Sequence, residues 1–107
     1  MVVKRSGERE PFDRAKLTAG VQSACKNRPV DELAIDSIVS QVEEAVRLLG
    51  TTVSSEDIGR ATLEALRAVD EVAYVRFASV YKGFDEAKDF TREVGDLVKT
   101  TAPKHRR

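Results

Sequence analysis

Apolar residues between Asp31 and Gly50 recur at the spacing of one face of an α-helix, and this pattern constrains the fold strongly. They are Ile35, Ile38, Val39, Val42, Val46 and Leu49, whereas Glu43, Glu44 and Arg47 fall on the water-facing side. Asp31 is a typical N-cap residue, and Gly50 is a typical helix terminator. Because a helix with one apolar face needs neighbours that cover it, the pattern predicts a bundle of packed helices.

Four further segments are predicted to be helices. The first begins at Asp13 and runs to about Lys26, and the third is capped by Ser54 and runs to about Val69. The fourth covers 70–83. The last is capped by Asp85 and carries the apolar residues Ala87, Phe90, Val94, Leu97 and Val98. The inner side of the third helix is predicted to hold Ile58, Ala61, Ala65, Leu66 and Val69. Gly20 and Gly59 lie inside helices, where glycine is unfavourable, and this indicates close packing against neighbours.

The segment from Asp70 to Phe84 differs from the others in its polarity. After its acidic first turn, only Arg76 and Lys82 interrupt an apolar surface that runs all the way round. Such a helix is either central or lies at an interface. The face that carries Tyr74, Phe77 and Tyr81 is therefore a candidate for contact between copies of the chain, although a buried core has the same pattern.

The residues before the first helix predict a β-hairpin. Residues 2–4 are predicted to form a strand, residues 5–8 a turn with Gly7 at positive φ, and residues 9–12 the returning strand. Residues 51–53 are rich in β-branched side chains and are predicted to add a third strand. The hairpin brings together Lys4, Arg5 and Lys16, three cations that would match a triphosphate. The charges alone leave open that these cations pair with Glu8, Glu10 and Asp13 on a solvated surface.

Length and composition suit one compact domain. The chain has 107 residues, of which 41% are apolar and 34% are charged. The domain is predicted to cover residues 1–99, and residues 100–107 are predicted to form a basic polar tail that is disordered. A formal net charge of zero argues against an autonomous DNA-binding module, so any work by cations must be local.

Several kinds of chemistry find no support in the sequence. Cys25 is the single cysteine and His105 the single histidine, so neither a disulfide, a metal site nor a catalytic nucleophile with its base is indicated. Apolar runs are much shorter than the roughly 20 residues that cross a bilayer, and a secretion signal is not evident. These observations predict a cytoplasmic protein with no membrane partner and no enzymatic activity.

Two sequence motifs carry a resemblance to a known family. The run from Val3 to Gly7, followed by Glu10, Phe12-Asp13 and Lys16-Leu17, resembles the start of an ATP-cone, a nucleotide-sensing domain found in many ribonucleotide reductases. The later run Asp70-Glu71-Val72-Ala73-Tyr74-Val75-Arg76-Phe77-Ala78-Ser79-Val80-Tyr81 is similar to the ATP-cone of the NrdR family, bacterial repressors of ribonucleotide reductase genes. The resemblance covers the chain from Val2 to about Val98.

The resemblance implies an α+β, mostly α fold, in which a four-helix bundle is capped by a small three-stranded β-sheet. ATP or dATP would lie between the cap and the helices. Val3 would lie beside the base, Lys4, Arg5 and Lys16 would bind phosphates, Glu10 and Asp13 would accept hydrogen bonds from the adenine, and Ser55 would lie near the nucleoside. Carboxylates accept from an exocyclic amine and cations match phosphates, so these roles agree with the chemistry of the side chains.

The function implied by the resemblance is allosteric regulation of transcription. ATP or dATP would bind as an effector and change the self-association of a homo-oligomer, and this would control how zinc ribbons meet operator DNA. Repressors of this family carry an N-terminal zinc ribbon with paired Cys-x-x-Cys motifs, which this sequence lacks. We therefore expect that residue 1 begins a sensor domain excised from such a repressor, with a natural homologue that lacks the ribbon as the alternative, and that zinc and operator DNA are bound only by the missing ribbon.

Three alternative functions are weighed against this one. The first is an allosteric ATP-cone of a ribonucleotide reductase catalytic subunit. The sequence of residues 72–81, which is similar to that of the NrdR family, argues against it. A weak nucleotide phosphatase would need a general base or a metal cluster, and neither is evident. A helical dimerisation module without a ligand would not be stabilised by adenine nucleotides.

Overall fold

The computed structural model describes the backbone of residues 1–101 and the side chains of residues 1–99. The elements in chain order are β1 (Val2–Val3), β2 (Arg9–Glu10), α1 (Arg14–Ala24), α2 (Glu32–Leu49), β3 (Val53–Ser54), α3 (Ser55–Arg67), α4 (Glu71–Tyr81) and α5 (Ala87–Thr101). The expected α+β, mostly α fold is confirmed. Helix α5 includes the first residues of the segment predicted as a tail, and residues 102–107 lie outside the described part of the chain.

The hairpin and the third strand form one small mixed sheet with the order β2-β1-β3. Strand β1 is antiparallel to β2, with Val2 opposite Glu10, and parallel to β3, with Val2 opposite Val53. In the turn, Gly7 has a φ of 92°, and the backbone N–H of Lys4 donates to the carbonyl of Glu8 at 2.8 Å. The predicted hairpin and third strand are confirmed, although β2 ends two residues earlier than predicted and β3 starts at Val53 instead of Thr51.

Helix starts are fixed by short polar side chains, as the sequence predicted for α1, α2 and α3. The side chains of Asp13, Asp31, Ser54 and Asp70 each accept a backbone N–H three residues later. The prediction for α5 is wrong: Asp85 does not cap the helix with its side chain. Instead, the Asp89 carboxylate reaches back and accepts the N–H groups of Asp85 and Glu86 at 3.1 and 3.2 Å, so the helix starts at Ala87.

Helices α1 to α4 form a closed ring in which each helix packs on the next and α4 returns to α1. This ring is the four-helix bundle that the resemblance implied, and α5 is a further helix that packs on α4. The core is continuous and includes most of the apolar residues predicted to be buried: Val21, Ala24, Cys25, Ile35, Ile38, Val39, Val42, Val46, Ala65, Leu66 and Leu97. Leu49 and Val69 are exposed, contrary to the prediction, because α2 ends at Leu49 and α3 ends before Val69.

The two helical glycines differ in their surroundings. A Cβ added at Gly59 would lie 2.1 Å from Cε1 of Tyr81, so the predicted close crossing of α3 and α4 is confirmed. A Cβ added at Gly20 would meet Cε1 of Phe77 at 3.8 Å, an ordinary contact, so the close packing predicted there is wrong.

Helix α4 is central, since it packs on α1, α3 and α5. The rings of Tyr74, Phe77 and Tyr81 pack within the chain's own core, with Tyr74 buried and the other two partly buried, as the buried-core alternative expects. Their contact with a second copy stays a prediction. Within the described residues, none of the helices is both long enough and apolar enough to cross a membrane.

Candidate functional site

An open cavity of about 590 Å³ lies between the hairpin turn, the starts of α1 and α3, and the end of α4. Its lining consists of Lys4, Arg5, Ser6, Glu10, Lys16, Ser55, Val80 and Tyr81. The predicted site residues Lys4, Arg5, Glu10, Lys16 and Ser55 are therefore brought together in one place. The volume lies within the range of small-molecule sites.

Local structure positions the cations. Lys4 follows β1, and its backbone is fixed by the hydrogen bond to Glu8 across the turn in which Arg5 lies. Lys16 lies in the first turn of α1, where its N–H donates to the capping carboxylate of Asp13 at 3.2 Å. The turn and the helix start therefore hold the three ammonium and guanidinium groups around one cavity without burying them.

Each of these cations has an acidic neighbour, but every pair is long. Lys4 Nζ lies 3.9 Å from Glu8, Lys16 Nζ lies 3.9 Å from Glu10, and Arg5 Nε lies 3.8 Å from Glu56. The two lysines thus pair with nearby acids of the hairpin, which is the alternative that the charges alone left open, whereas Arg5 pairs with Glu56 of α3.

The exposure of these pairs decides how firmly they hold the cations. The side chains of Arg5 and Lys16 are 69% and 71% exposed, and exposed pairs contribute only about 0 to 1 kcal/mol each. A charge-assisted hydrogen bond to a phosphate contributes about 1.5 to 3 kcal/mol. The cations are therefore available to an anion with several phosphate groups.

A smaller cavity of about 160 Å³ lies next to the first, and Glu10, Lys16 and Ser55 line both. Its other lining residues are Val2, Pro11, Phe12, Asp13, Leu17 and Ile58. Apolar side chains thus form its walls, while the carboxylates of Glu10 and Asp13 stand at its edge. Such a cavity suits a flat heteroaromatic ring with exocyclic N–H donors, because one Asp13 oxygen caps α1 and the other remains an acceptor.

Val3 is the one predicted site residue that lines neither cavity. Side chains alternate across a strand, and Val2 is the residue of β1 that points into the core. Val2 consequently lines the smaller cavity, whereas Val3 does not.

Tyr81 and Glu56 are site residues that sequence reasoning missed. The Tyr81 hydroxyl donates to the Glu56 carbonyl at 2.8 Å, and the Tyr81 carbonyl accepts from Arg5 Nη2 at 3.4 Å. The Tyr81 ring also walls a neighbouring apolar cavity between α1, α3 and α4. A signal for Tyr81 was present in the glycine of α3 that leaves room for its ring, but an exposed glutamate such as Glu56 gives none.

Cys25, the single cysteine of the sequence, lines neither of the two cavities. Cys25 is buried, as predicted, at the C-cap of α1, and burial raises the pKa of its thiol. Among the described residues, the structure holds no cluster of three or more His, Cys, Asp or Glu side chains that could bind a metal ion. What the geometry offers is recognition: cations for phosphates and acids beside an apolar slot for a base.

Comparison with known proteins agrees with this geometry. The family model described as the ATP cone domain matches residues 1–87. The chain is 52% identical over 97 residues to a protein of Saccharopolyspora erythraea named transcriptional repressor NrdR. The matched region covers 90% of the chain and 51% of that protein. Proteins of the same name are 53% identical in Mycobacteroides abscessus and 52% identical in Thermobifida fusca, with 63% and 64% of their lengths covered. The chain thus spans between about half and two thirds of the length of these relatives.

Proposed function

The chain belongs to the ATP-cone domain family, and we propose that it is the nucleotide-sensing part of a transcriptional repressor, with ATP or dATP as its effector. The observation that carries the proposal is the convergence of Lys4, Arg5 and Lys16 on one cavity that opens beside an apolar, acid-edged slot. A triphosphate and a purine base are two halves of one ligand, and the two cavities share part of their lining.

The binding roles follow from the position of each side chain. Lys4, Arg5 and Lys16 bind the phosphates, and Glu10 and Asp13 accept hydrogen bonds from the adenine. Ser55 lines both cavities, which suits a residue that contacts the nucleoside between base and phosphates. The implied role of Val3 beside the base passes to Val2, because Val2 lines the smaller cavity. The nucleotide is bound and released without a bond being broken.

The regulatory role rests on the names of the longer relatives. In a protein of their length, nucleotide binding changes the self-association of a homo-oligomer, and thereby the binding of operator DNA that controls ribonucleotide reductase genes. This regulator acts in the cytoplasm. A zinc ribbon needs four ligands, typically cysteines, and the 107 residues contain a single cysteine. Zinc and DNA are therefore bound by other parts of the repressor.

Isothermal titration calorimetry with ATP and dATP tests the proposal. The variant Lys4→Ala/Arg5→Ala should lose nucleotide binding, because two phosphate partners are removed, while its helix content by circular dichroism stays that of the wild type. The control Lys26→Ala/Arg47→Ala removes the same charges from exposed positions away from the cavity and should bind as the wild type does. Unchanged dATP affinity in Lys4→Ala/Arg5→Ala would remove the assignment.

A further inference from the structure

We propose that the last turn of α4 couples the nucleotide site to α5, so that nucleotide binding loosens α5; this inference rests on the proposed function. The turn is held from two sides. On the site side, Arg5 donates to the Tyr81 carbonyl at 3.4 Å and lies near Glu56. On the other side, Lys82 Nζ donates to Glu93 Oε1 of α5 at 2.9 Å. Adjacent residues thus contact the phosphate-binding cation and the last helix.

Helix α5 depends on this polar contact because its apolar packing is small. Leu97 is its one buried apolar residue among those described, whereas Phe90, Val94 and Val98 are 41%, 43% and 56% exposed. Glu93 is buried, and its other oxygen accepts from the Tyr74 hydroxyl at 2.6 Å. The Phe90 ring also packs edge-on against Phe84, with 5.0 Å between the ring centroids. Elements with few buried apolar contacts open locally at low free-energy cost, so the Lys82–Glu93 contact contributes to keeping α5 closed.

The turn itself is a defined structural unit. Gly83 has a φ of 69°, the N–H of Phe84 donates to the Ser79 carbonyl at 2.8 Å, and the N–H of Gly83 donates to the Val80 carbonyl at 3.3 Å. This pair of bonds is the Schellman termination of a helix. It leaves the Tyr81 carbonyl to Arg5, whose positive charge is favourable at the C-terminal end of a helix.

A bound phosphate changes this arrangement by competing for Arg5. When the guanidinium turns to the phosphate, the Tyr81 carbonyl loses its cationic donor, and the bond from the Tyr81 hydroxyl to the Glu56 carbonyl remains as the polar tie on the site side. Lys82 belongs to the same turn, so its contact with Glu93 is held less firmly. One hydrogen bond corresponds to about a two- to tenfold change in a local opening equilibrium. ATP should therefore raise α5 opening by about that factor.

Hydrogen exchange read by mass spectrometry, with and without saturating ATP, tests this coupling. In the wild type, amides of residues 90–99 should exchange about two- to tenfold faster with ATP. In Lys82→Met the ratio of the exchange rates with and without ATP should fall to about one, while the ATP affinity from calorimetry stays within about threefold of the wild type. The control Lys88→Met removes a lysine of α5 that pairs with Glu86, and it should keep the full ratio.

Lys82→Met leaves a buried carboxylate without its cation, so Lys82→Met/Glu93→Gln provides a second variant in which neither charge remains and the ratio should again be about one. Wild-type exchange in α5 that is unchanged or slowed by ATP overturns the coupling, as does a full ratio in both Lys82 variants. A wild-type chain that binds no ATP in calorimetry overturns the proposed function and this inference together. Binding without any change in α5 overturns the inference alone.

Discussion

At residue 59 the lack of a side chain is what allows Tyr81 to reach the candidate site. Gly59→Ala would force the Tyr81 ring away, since the new Cβ would lie 2.1 Å from it, and the hydroxyl would lose its bond to Glu56. We expect a loss of about 1 to 3 kcal/mol in the free energy of unfolding, measured by urea denaturation.

The matched control for that substitution is Gly20→Ala. Its Cβ would make an ordinary contact with Phe77, so the variant should be neutral or more stable by up to about 1 kcal/mol, because alanine favours the helix. Equal effects of the two substitutions would contradict the close crossing at Gly59.

Glu93 should give the protein a measurable pH dependence. Burial acts to raise the pKa of its carboxyl, but hydrogen bonds from Tyr74 and Lys82 outweigh burial and hold the pKa below its ordinary value of 4.5. A carboxyl with a depressed folded-state pKa adds stability above its unfolded-state pKa, and this stability is lost as the pH falls through the folded-state value. Acid should therefore remove the contribution of Glu93.

Melting temperatures of the wild type and Glu93→Gln, followed from about pH 6 to about pH 3, measure this contribution. The wild type should have the higher melting temperature at the higher pH. The difference in melting temperature between the two proteins should become smaller on acidification, because glutamine has no charge to lose. A difference in melting temperature that is constant or increases toward low pH would contradict the stabilising contribution of the Glu93 carboxylate.

At the scale of single elements, Asp70 shows how one side chain serves two structures. Its carboxylate caps α4 by accepting the N–H of Ala73 at 2.9 Å, and it also accepts two hydrogen bonds from Arg28, in the loop after α1, at 2.9 and 3.1 Å. The ion pair holds the pKa of Asp70 below its ordinary value. The start of α4 is thereby tied to the end of α1.

The two roles can be separated by substitution. Asp70→Ala should cost about 2 to 4 kcal/mol in urea unfolding, because it removes both cap and ion pair. Asp70→Asn should cost about half of that, since asparagine caps a helix about as well as aspartate but carries no charge for Arg28. If the two variants were equally destabilised, the cap would contribute nothing measurable.

Elements that depend on neighbours in sequence were predictable, and those that depend on distant partners were less so. The Asp13, Asp31 and Ser54 caps and the Gly7 turn follow from residue types a few positions apart, and the structure confirms them. The start of α5 was predicted wrongly because an acid at the third helical position competes with the acid before the helix. Arg5 and Tyr81 lie 76 positions apart, and charge pattern alone could not pair them.

At the scale of the whole molecule, the candidate site exists because the four-helix ring brings the hairpin, the starts of α1 and α3 and the end of α4 to one place. The sequence predicted the cations from the hairpin and the first helix, since these are consecutive. It did not predict the wall supplied by Tyr81, nor that Val2 instead of Val3 lines the smaller cavity, because both depend on how the sheet and α4 pack on the bundle. The same ring leaves the apolar stripe of α5 exposed rather than the aromatic face of α4.

In the proposed complex, the hairpin turn and the start of α1 hold the phosphates of an adenine nucleotide. Amide chemical shifts of the ¹⁵N-labelled chain, titrated with dATP, test it most directly. We expect saturable shifts concentrated at Lys4 to Glu8, Lys16, Ser55 and Tyr81. Shifts that are absent at saturating dATP, or that cluster instead at the far end of α2 around Leu48, would contradict it.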